Sequence, residues 1–446
     1  MLDEKAASTG KRQETLRSTA AENVCVGLAE RWLRGNKMRI MSSGLILALC
    51  ISLVFMPASA SDFTLQILGN ANMDDTIDEL DIEYVQGIID GTNDETELAD
   101  ANYDGEINEE DITQIELIIS GEEEELTVID SAGRIVTVPQ PIERIVTTAI
   151  PVLRNVVILD AADKVVGIDS STADGGMKYF CVQAHPELLD LPTVGTYQEP
   201  NMEAILKLKP DVIFSYSGYP DSADAIQEKI GIPVVCTHYV EPSKFYMTSD
   251  SLMLTAEILG KKDRAEWLMS YVGDKIDRIT EITAEIPEEE KPKVYALVWY
   301  GITQTMDYAP VELAGGRNVA KEFLLSQGLE SAQINPEQVI IWNPDVIFLG
   351  CTGDSVTKLL ETHPGLEATN AVKEGNVYQI FGPHFCHDLI QLVVETYYMA
   401  KLLHPDEFHD LDVEDEANRM FEEVYGAEDL YNKVQEARGL ELYRWE

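Results

Sequence analysis

"NMEAILKLKPDVIF" (201–214) and "NPEQVIIWNPDVIF" (335–348) are one phrase written twice, 134 residues apart. Asn201, Glu203 and the run Pro210 to Phe214 recur as Asn335, Glu337 and the run Pro344 to Phe348. The local physics is the same in both copies. Asn caps a short helix by accepting a hydrogen bond from a first-turn N–H. Glu two residues later suits the positive end of the helix dipole. Pro disfavours further helix before it, and "DVIF" starts a buried strand. A chain that needs this helix-to-strand step twice is built from two similar α/β lobes.

Short β-rich runs surround both copies. They are "RIVTTA" (144–149), "KVVGID" (164–169), "PTVGTY" (192–197), "DVIFSYS" (211–217) and "IPVVCTHY" (232–239), then "KVYALVWYG" (293–301), "DVIFLGC" (345–351) and "NVYQIFG" (376–382). Alternation of such runs with helical stretches predicts parallel sheets. Between the lobes, residues 243–286 keep helical periodicity and predict a single linking helix. The expected order is linker and first strands over 122–143, first lobe 144–242, linking helix 243–290, second lobe 291–426 and a tail, 427–446.

The 446 residues include 79 acidic and 33 basic ones, a net charge of −46. That balance argues against nucleic acid as a partner, because phosphates are neutralised by Lys and Arg. Residues 1–60 have the marks of an export signal. Lys37 and Arg39 precede the apolar "GLILALCISLVF" (44–55), and "ASA" (58–60) offers a cleavage site. With translation starting at Met38, the protein is expected outside the cytoplasm, secreted or at the cell surface in the periplasmic manner. The alternative keeps the segment as an N-terminal membrane anchor.

Residues 61–121 hold two acidic loops in register, "NANMDDTIDELD" (70–81) and "DANYDGEINEED" (100–111). Both fit a twelve-residue calcium loop, with oxygens at positions 1, 3, 5, 7, 9 and 12. The first offers Asn70, Asn72, Asp74, the Thr76 carbonyl, Asp78 and Asp81. The second offers Asp100, Asn102, Asp104, the Glu106 carbonyl, Asn108 and Asp111, with Gly105 at the sharp turn. Two calcium ions are expected, the second held more tightly, since Asn70 replaces an acid and Asp75 replaces the glycine. The pair resembles a dockerin, which implies a cohesin-like protein partner. In dockerins, loop positions 10 and 11, here Glu79–Leu80 and Glu109–Glu110, help read that partner. "GEEEE" (121–125) reads as a solvated linker.

The segments "IERIV", "ADKVVGID", "VGTYQEPNMEAILKLKPDVIF", "ELAGGRNVA", "NPEQVIIWNPDVIF" and "AVKEGNVY" keep an order that resembles a substrate-binding protein of an ABC importer. The subtype is the helix-linked one similar to binders of ferric siderophores, haem and cobalamin. The resemblance implies an α/β fold of two Rossmann-like lobes joined by one long helix, here preceded by a small all-α dockerin-like domain. It also implies that Glu203 and Glu337, one per lobe, dock to arginines of an ABC permease. The transported ligand would be a small metal chelate, and no enzyme activity is expected. Two alternatives are a calcium-dependent surface scaffold and a metal-chelatase-like enzyme.

Ligands of open α/β sheets bind at the C-terminal ends of strands. The first lobe offers Thr147, Thr148, Tyr216, Ser217 and Tyr239 there. The second offers Trp299, Tyr300, Thr352 and "GPHFCH" (382–387), with His384 and His387. Trp342 is assigned to the core. His384, Cys386 and His387 are donors for a metal or an axial site. Cys351–Cys386 and Cys181–Cys236 disulfides are the competing use of the thiols, and four free thiols a third.

Overall fold

The computed structural model describes residues 63–446 apart from 239–241, 247–249, 298–303, 330, 351–355, 383–386, 441 and 443–446. The proposed export segment lies outside the described residues.

The chain opens with helices α1 (Glu79–Ile89) and α2 (Glu109–Ser120), followed by a hairpin of β1 (Glu125–Ile129) and β2 (Ile135–Pro139). The first lobe holds β3 (Ile145–Thr147), α3 (Ile150–Ile158), β4 (Val165–Gly167), α4 (Met202–Leu208), β5 (Val212–Tyr216) and β6 (Val234–Thr237). The connection is α5 (Asp250–Ile258) and α6 (Lys262–Thr283). The second lobe holds β7 (Lys293–Leu297), β8 (Gln304–Met306), β9 (Arg317–Asn318), β10 (Ser331–Gln333), α7 (Pro336–Trp342), β11 (Val346–Leu349), β12 (Val377–Gln379) and α8 (Leu389–Leu403). Helices α9 (Val413–Tyr425) and α10 (Leu430–Arg438) close the described chain.

Each lobe is a four-stranded parallel sheet. The orders are β4-β3-β5-β6 and β9-β7-β11-β12. Both read second, first, third, fourth in chain order, so the lobes share a topology as well as a phrase. The "PTVGTY" run does not join the first sheet as a strand. It contributes only a bridge from Thr193 to Ile168 and a turn bridge from Gly195 to Pro200.

The phrase folds alike in its two settings, with the cap bond reaching one residue further in the first copy. Asn201 Oδ1 accepts from Ala204 N at 3.1 Å, and Asn335 Oδ1 from Glu337 N at 3.1 Å. Both helices end on a left-handed residue, Lys209 (φ 48°) and Asn343 (φ 47°). The aspartate that follows pins the neighbouring strand. Asp211 Oδ2 accepts from Arg144 N at 2.8 Å, and Asp345 Oδ2 from Lys293 N at 3.0 Å. Its own N–H returns a bond to the same neighbour's carbonyl, at 2.8 Å in each lobe. Trp342 packs near the Tyr295 and Phe323 rings, as its assignment to the core expects.

The linking segment is two helices, not one. Gly260 takes φ 62° and lets Lys261 N close on the Ala256 carbonyl at 2.7 Å, which ends α5. One glycine with positive φ suffices, because it makes the left-handed helix cap at no steric cost. The remaining rod, α6, is 22 residues, roughly 33 Å long. Its buried stripe of Ala265, Leu268, Val272, Ile276 and Ile279 faces the core.

Two terminal segments depart from the expected roles of linker and tail. The two-loop module is sewn onto the β1–β2 hairpin. Leu68 N bonds Thr127 O and Ile129 N bonds Gln66 O, each at 2.9 Å. Leu65, Val85 and Ile115 share one core with Leu126, Val138 and the first lobe. "GEEEE" is mostly exposed, as expected of a solvated run, but it is short and leads directly into β1. At the other end, α10 acts as a clasp. Arg438 Nε donates to Lys178 O at 2.8 Å and Nη1 to Phe381 O at 3.3 Å, so one side chain ties first-lobe to second-lobe backbone.

Candidate functional site

The repeated phrase sets its two expected docking glutamates at matched places in the lobes. Glu203 and Glu337 sit in the first turns of α4 and α7, exposed. Their surroundings differ. Lys207 Nζ meets Glu203 Oε1 at 2.7 Å, whereas the matched position on α7 is Ile341, which is 73 % exposed.

At the C-terminal end of β5 the first lobe presents an aromatic group. Tyr216 lies 6.1 Å from Tyr219 and 6.2 Å from Tyr197, and its ring stacks on His238 at 5.9 Å. Ser217 Oγ and His238 Nδ1 are 2.6 Å apart. Gly218 is needed for this geometry, since a Cβ there would stand 2.7 Å from the Tyr216 ring. Tyr216 and Ser217 are thus brought together as the strand-end argument expects. Tyr197, Tyr219 and His238 join them, and sequence reasoning missed those three. "SYSGYP" carried a signal for Tyr219, being an aromatic two residues beyond a tight turn from β5.

Thr147 and Thr148 lie one layer deeper, fully buried. Thr148 Oγ1 donates to Ser215 Oγ at 3.0 Å within the sheet, while Thr147 Oγ1 has no hydrogen-bond partner. Tyr239, Trp299, Tyr300, Thr352 and His384 lie outside the described residues, as do Cys351 and Cys386. The Cys181–Cys236 pairing is not formed, and both thiols are free and buried. Cys236 is held elsewhere, its N–H on Asp130 Oδ2 at 2.9 Å and its sulfur near Arg134 Nη1. Burial pushes both thiols up to about 12, so they remain protonated.

His387 lies at the head of α8, 1 % exposed, beside the Tyr308 ring at 5.5 Å. Neither ring nitrogen has a hydrogen-bond partner. Burial, with help from the Arg154 and Arg438 guanidinium groups, holds its pKa well below the usual histidine value, so the ring is neutral. An unmet buried polar atom costs about 1–3 kcal/mol. The ring borders a small cavity of about 10 Å³ lined by Pro151, Arg154, Asn155 and Ile158 of α3, Leu252 of α5, Asp388 and Leu389 of α8, and Tyr425 of α9. First-lobe helix thus meets second-lobe helix across it. An Arg–Asn pair inside the otherwise apolar "IPVLRNVVI" was the available sequence signal for this floor.

Behind the floor, Glu395 is fully enclosed. It accepts from Tyr308 OH, from Gln391 Nε2 at 3.0 Å and from Gly382 N at 3.1 Å, which anchors the root of the "GPHFCH" segment. Burial raises its pKa to about 7.

The two acidic loops are built on one scaffold. Asp81 accepts from Asn72 N at 3.1 Å and Asp78 N at 2.9 Å; Asp111 accepts from Asn102 N at 3.2 Å and Asn108 N at 2.8 Å. Asp74 takes Thr76 N and Asp104 takes Glu106 N, both at 2.9 Å. Asp81 and Asp111 are fully buried, and burial raises both pKa values, that of Asp81 to about 6. The loops differ at position 1. Asn70 turns its amide inward and donates to the Leu65 and Asp74 carbonyls at 2.8 and 2.7 Å. Asp100 instead offers both oxygens, to Asp104 N and Gly105 N. Lys262 also reaches the first loop, onto Thr76 Oγ1. Among the described residues no group of three or more His, Cys, Asp or Glu side chains is gathered as a metal centre.

With this geometry in hand, comparison with known proteins identifies the class. A family model described as Periplasmic binding protein matches residues 145–381, just over half of the chain, so the chain belongs to the periplasmic binding protein family. Among curated relatives, the molybdate-binding protein MolA of Haemophilus influenzae is 24 % identical over 322 residues, which is 67 % of this chain and 90 % of MolA. The Fe(3+)-citrate-binding protein YfmC of Bacillus subtilis is 24 % identical over 229 residues, 49 % of this chain and 69 % of YfmC. Among solved structures, a periplasmic solute binding protein of Veillonella parvula superposes with a TM-score of 0.55 at 22 % identity, over 70 % of this chain and 98 % of its own. MolA bound to molybdate gives 0.55 at 23 %, over 68 % and 98 %. These likenesses establish the two-lobed fold. The two-loop module precedes the matched region. No helix among the described residues is long and apolar enough to cross a membrane.

Proposed function

We propose that this protein is the substrate-binding component of an ABC importer and delivers a metal, as a chelate or oxyanion, to its permease. It acts outside the cytoplasm. The observation that carries this reading is the matched pair of exposed acids, Glu203 and Glu337, each on the first turn of the same helix-to-strand step in a lobe of the same topology. Two acids so repeated suit a permease whose two halves present matched cations. MolA, YfmC and the other importer-associated relatives support the ligand class. The Tyr197, Tyr216, Tyr219 and His238 cluster supplies aromatic area and polar tips for such a ligand.

The test uses the full chain with its permease in vesicles. Glu203→Lys with Glu337→Lys should lower binding-protein-stimulated ATP hydrolysis by about tenfold or more, since each reversal replaces an attraction by a repulsion. Ligand affinity measured on the free protein should stay within about twofold, because neither residue is in the cleft. Unchanged stimulation by the double variant refutes the docking assignment.

The module is proposed to bind calcium, chiefly in the second loop, where Asp100, Asn102, Asp104, the Glu106 carbonyl, Asn108 and Asp111 supply the oxygens. Relief of the desolvated Asp111 carboxylate by a cation is what would stabilise it. Thermal unfolding should shift upward with calcium over EDTA, and Asp104→Ala should abolish the shift while Asn72→Ala largely preserves it. Because the module shares the first-lobe core, this calcium supports the binding lobe itself.

A further inference from the structure

We infer that the first acidic loop holds no calcium and is closed instead by Lys262, whose ammonium latches the two-loop module onto the head of α6. The inference deepens the calcium reading above and rests on it for the second loop alone.

The residues of the first loop do not fit calcium. The ion is held by carboxylate and carbonyl oxygens around a sharp turn at position 6. At position 1, Asn70 is fully buried and brings no charge, and its Nδ2 is turned onto the Leu65 and Asp74 carbonyls at 2.8 and 2.7 Å. Asp100, at the same place in the second loop, brings a carboxylate. At position 6, Gly105 makes the turn with φ 91°, whereas Asp75 does not take a positive φ. A side chain is strained in that region of φ and glycine is not.

A cation from elsewhere in the chain stands at the first loop. Lys262 Nζ donates to Thr76 Oγ1, at position 7. From Ser61 to Gly133 the sequence has no lysine, arginine or histidine, so the carboxylates of the module have no cation of their own. The elbow at Gly260 delivers one. It ends α5, and Lys262 is the first residue of α6. Glu257 of α5 lies 3.7 Å from the same ammonium. An ammonium has three donors, so it can tie a hydroxyl of the module to a carboxylate of α5. A dication arriving at this loop meets a like charge beside it. The loops are also exposed differently. Asn72, Asp74 and Thr76 are half-buried, while Asp104, Gly105 and Glu106 are exposed. The first loop is an internal joint, and the second is the one open to an ion.

Equilibrium dialysis of the full chain against calcium tests this. Wild type should bind one ion per chain. Lys262→Met, which keeps the stem and removes the charge, should bind a second, and Lys262→Arg, which keeps the charge, should stay at one. Asp104→Ala isolates the first loop. Alone it should bind calcium only weakly, and adding Lys262→Met should raise that affinity about tenfold or more. Hydrogen exchange over residues 70–81 reads the latch without any metal. In EDTA these amides should exchange slowly in wild type and faster in Lys262→Met, with calcium restoring protection to the variant. The inference is overturned if wild type binds two ions with like affinity, if Asp104→Ala gains nothing from Lys262→Met, if Lys262→Arg behaves as Lys262→Met does, or if exchange in EDTA is the same in Lys262→Met as in wild type. A wild type that binds no calcium refutes the second-loop reading alone, because the gain in the Asp104→Ala background still decides this one.

Discussion

The two lobes share a strand order, a helix-to-strand phrase and a strand-pinning aspartate, yet they are finished differently around the cleft. The first lobe ends its central strand in a half-exposed cluster of Tyr216, Tyr197, Tyr219 and His238. It is braced from outside by Arg134, which joins Asp130 at 2.9 Å, Val234 O at 2.8 Å and Asp224 at 2.7 Å. The second lobe is braced from inside, by a buried carboxylate, Glu395, beneath the segment that leads to His387. Repetition is strict where the backbone must turn from helix to strand. It lapses at the strand ends, where the first lobe presents an aromatic cluster and the second a buried carboxylate.

The largest effect that separates the lobes is a pH dependence located in the second. Glu395 has its pKa raised from 4.5 to about 7. The folded state therefore binds a proton more tightly than the unfolded chain. Stability from this group is fully present below about pH 4.5 and is lost as pH rises through 7. The loss approaches about 3 kcal/mol, at about 1.4 kcal/mol per unit. Glu395→Gln carries no such titration. In urea unfolding, the difference between wild type and this variant should move by about 2–3 kcal/mol in favour of wild type between pH 7.5 and pH 4.5. A difference independent of pH would mean that Glu395 is no more desolvated than a surface acid.

That carboxylate also marks the limit of what the sequence carried. The lobes, their parallel strands and the repeated step were legible because each rests on local chemistry: an Asn cap, a Pro stop, an apolar run. Gly260 was visible but underweighted. A lone glycine reads as tolerable inside a helix, and its role depends on whether the flanking turns have packing partners. The assignment of the cleft by strand ends named Tyr216, the last residue of β5, and Ser217 just beyond it, whereas Thr148, one residue past β3, is buried and bonded to Ser215. His387 was singled out as a soft donor. That its ring nitrogens lack a hydrogen-bond partner depends on helices α3, α8 and α9, which lie far apart in the chain. Arg438, which spans from Lys178 to Phe381, was illegible for the same reason.

A smaller effect tests whether the two copies of the phrase are equivalent in energy as well as shape. Asp211 accepts from Glu143 N and Arg144 N, both at 2.8 Å. Asp345 accepts from Lys293 N at 3.0 Å and Asn370 Nδ2 at 2.9 Å. Each is half-buried and each holds two donors. Asp211→Ala and Asp345→Ala should therefore cost similar amounts, about 1–3 kcal/mol each. They lie in separate lobes, so the double variant should show the sum of the two losses. If one substitution is silent, only the other aspartate sets a strand register, and the likeness of the lobes is one of shape alone.

The smallest effect concerns an exposed position at which α4 and α7 differ, Lys207 against Ile341. Lys207 pairs with Glu203, but both side chains are largely exposed, 72 % and 80 %. Such a pair contributes at most about 0.5 kcal/mol. Lys207→Ile, which copies the α7 arrangement of Glu337 and Ile341, should leave the melting temperature almost unchanged. Its consequence belongs to docking. Lys207 neutralises part of the Glu203 charge before any permease arrives, so its removal should lower the concentration of binding protein needed for half-maximal stimulation of ATP hydrolysis, by about twofold at low salt and less at high salt. A rise instead would show that Lys207 itself contacts the permease. The first lobe would then dock through an ion pair and the second through an acid with an apolar neighbour.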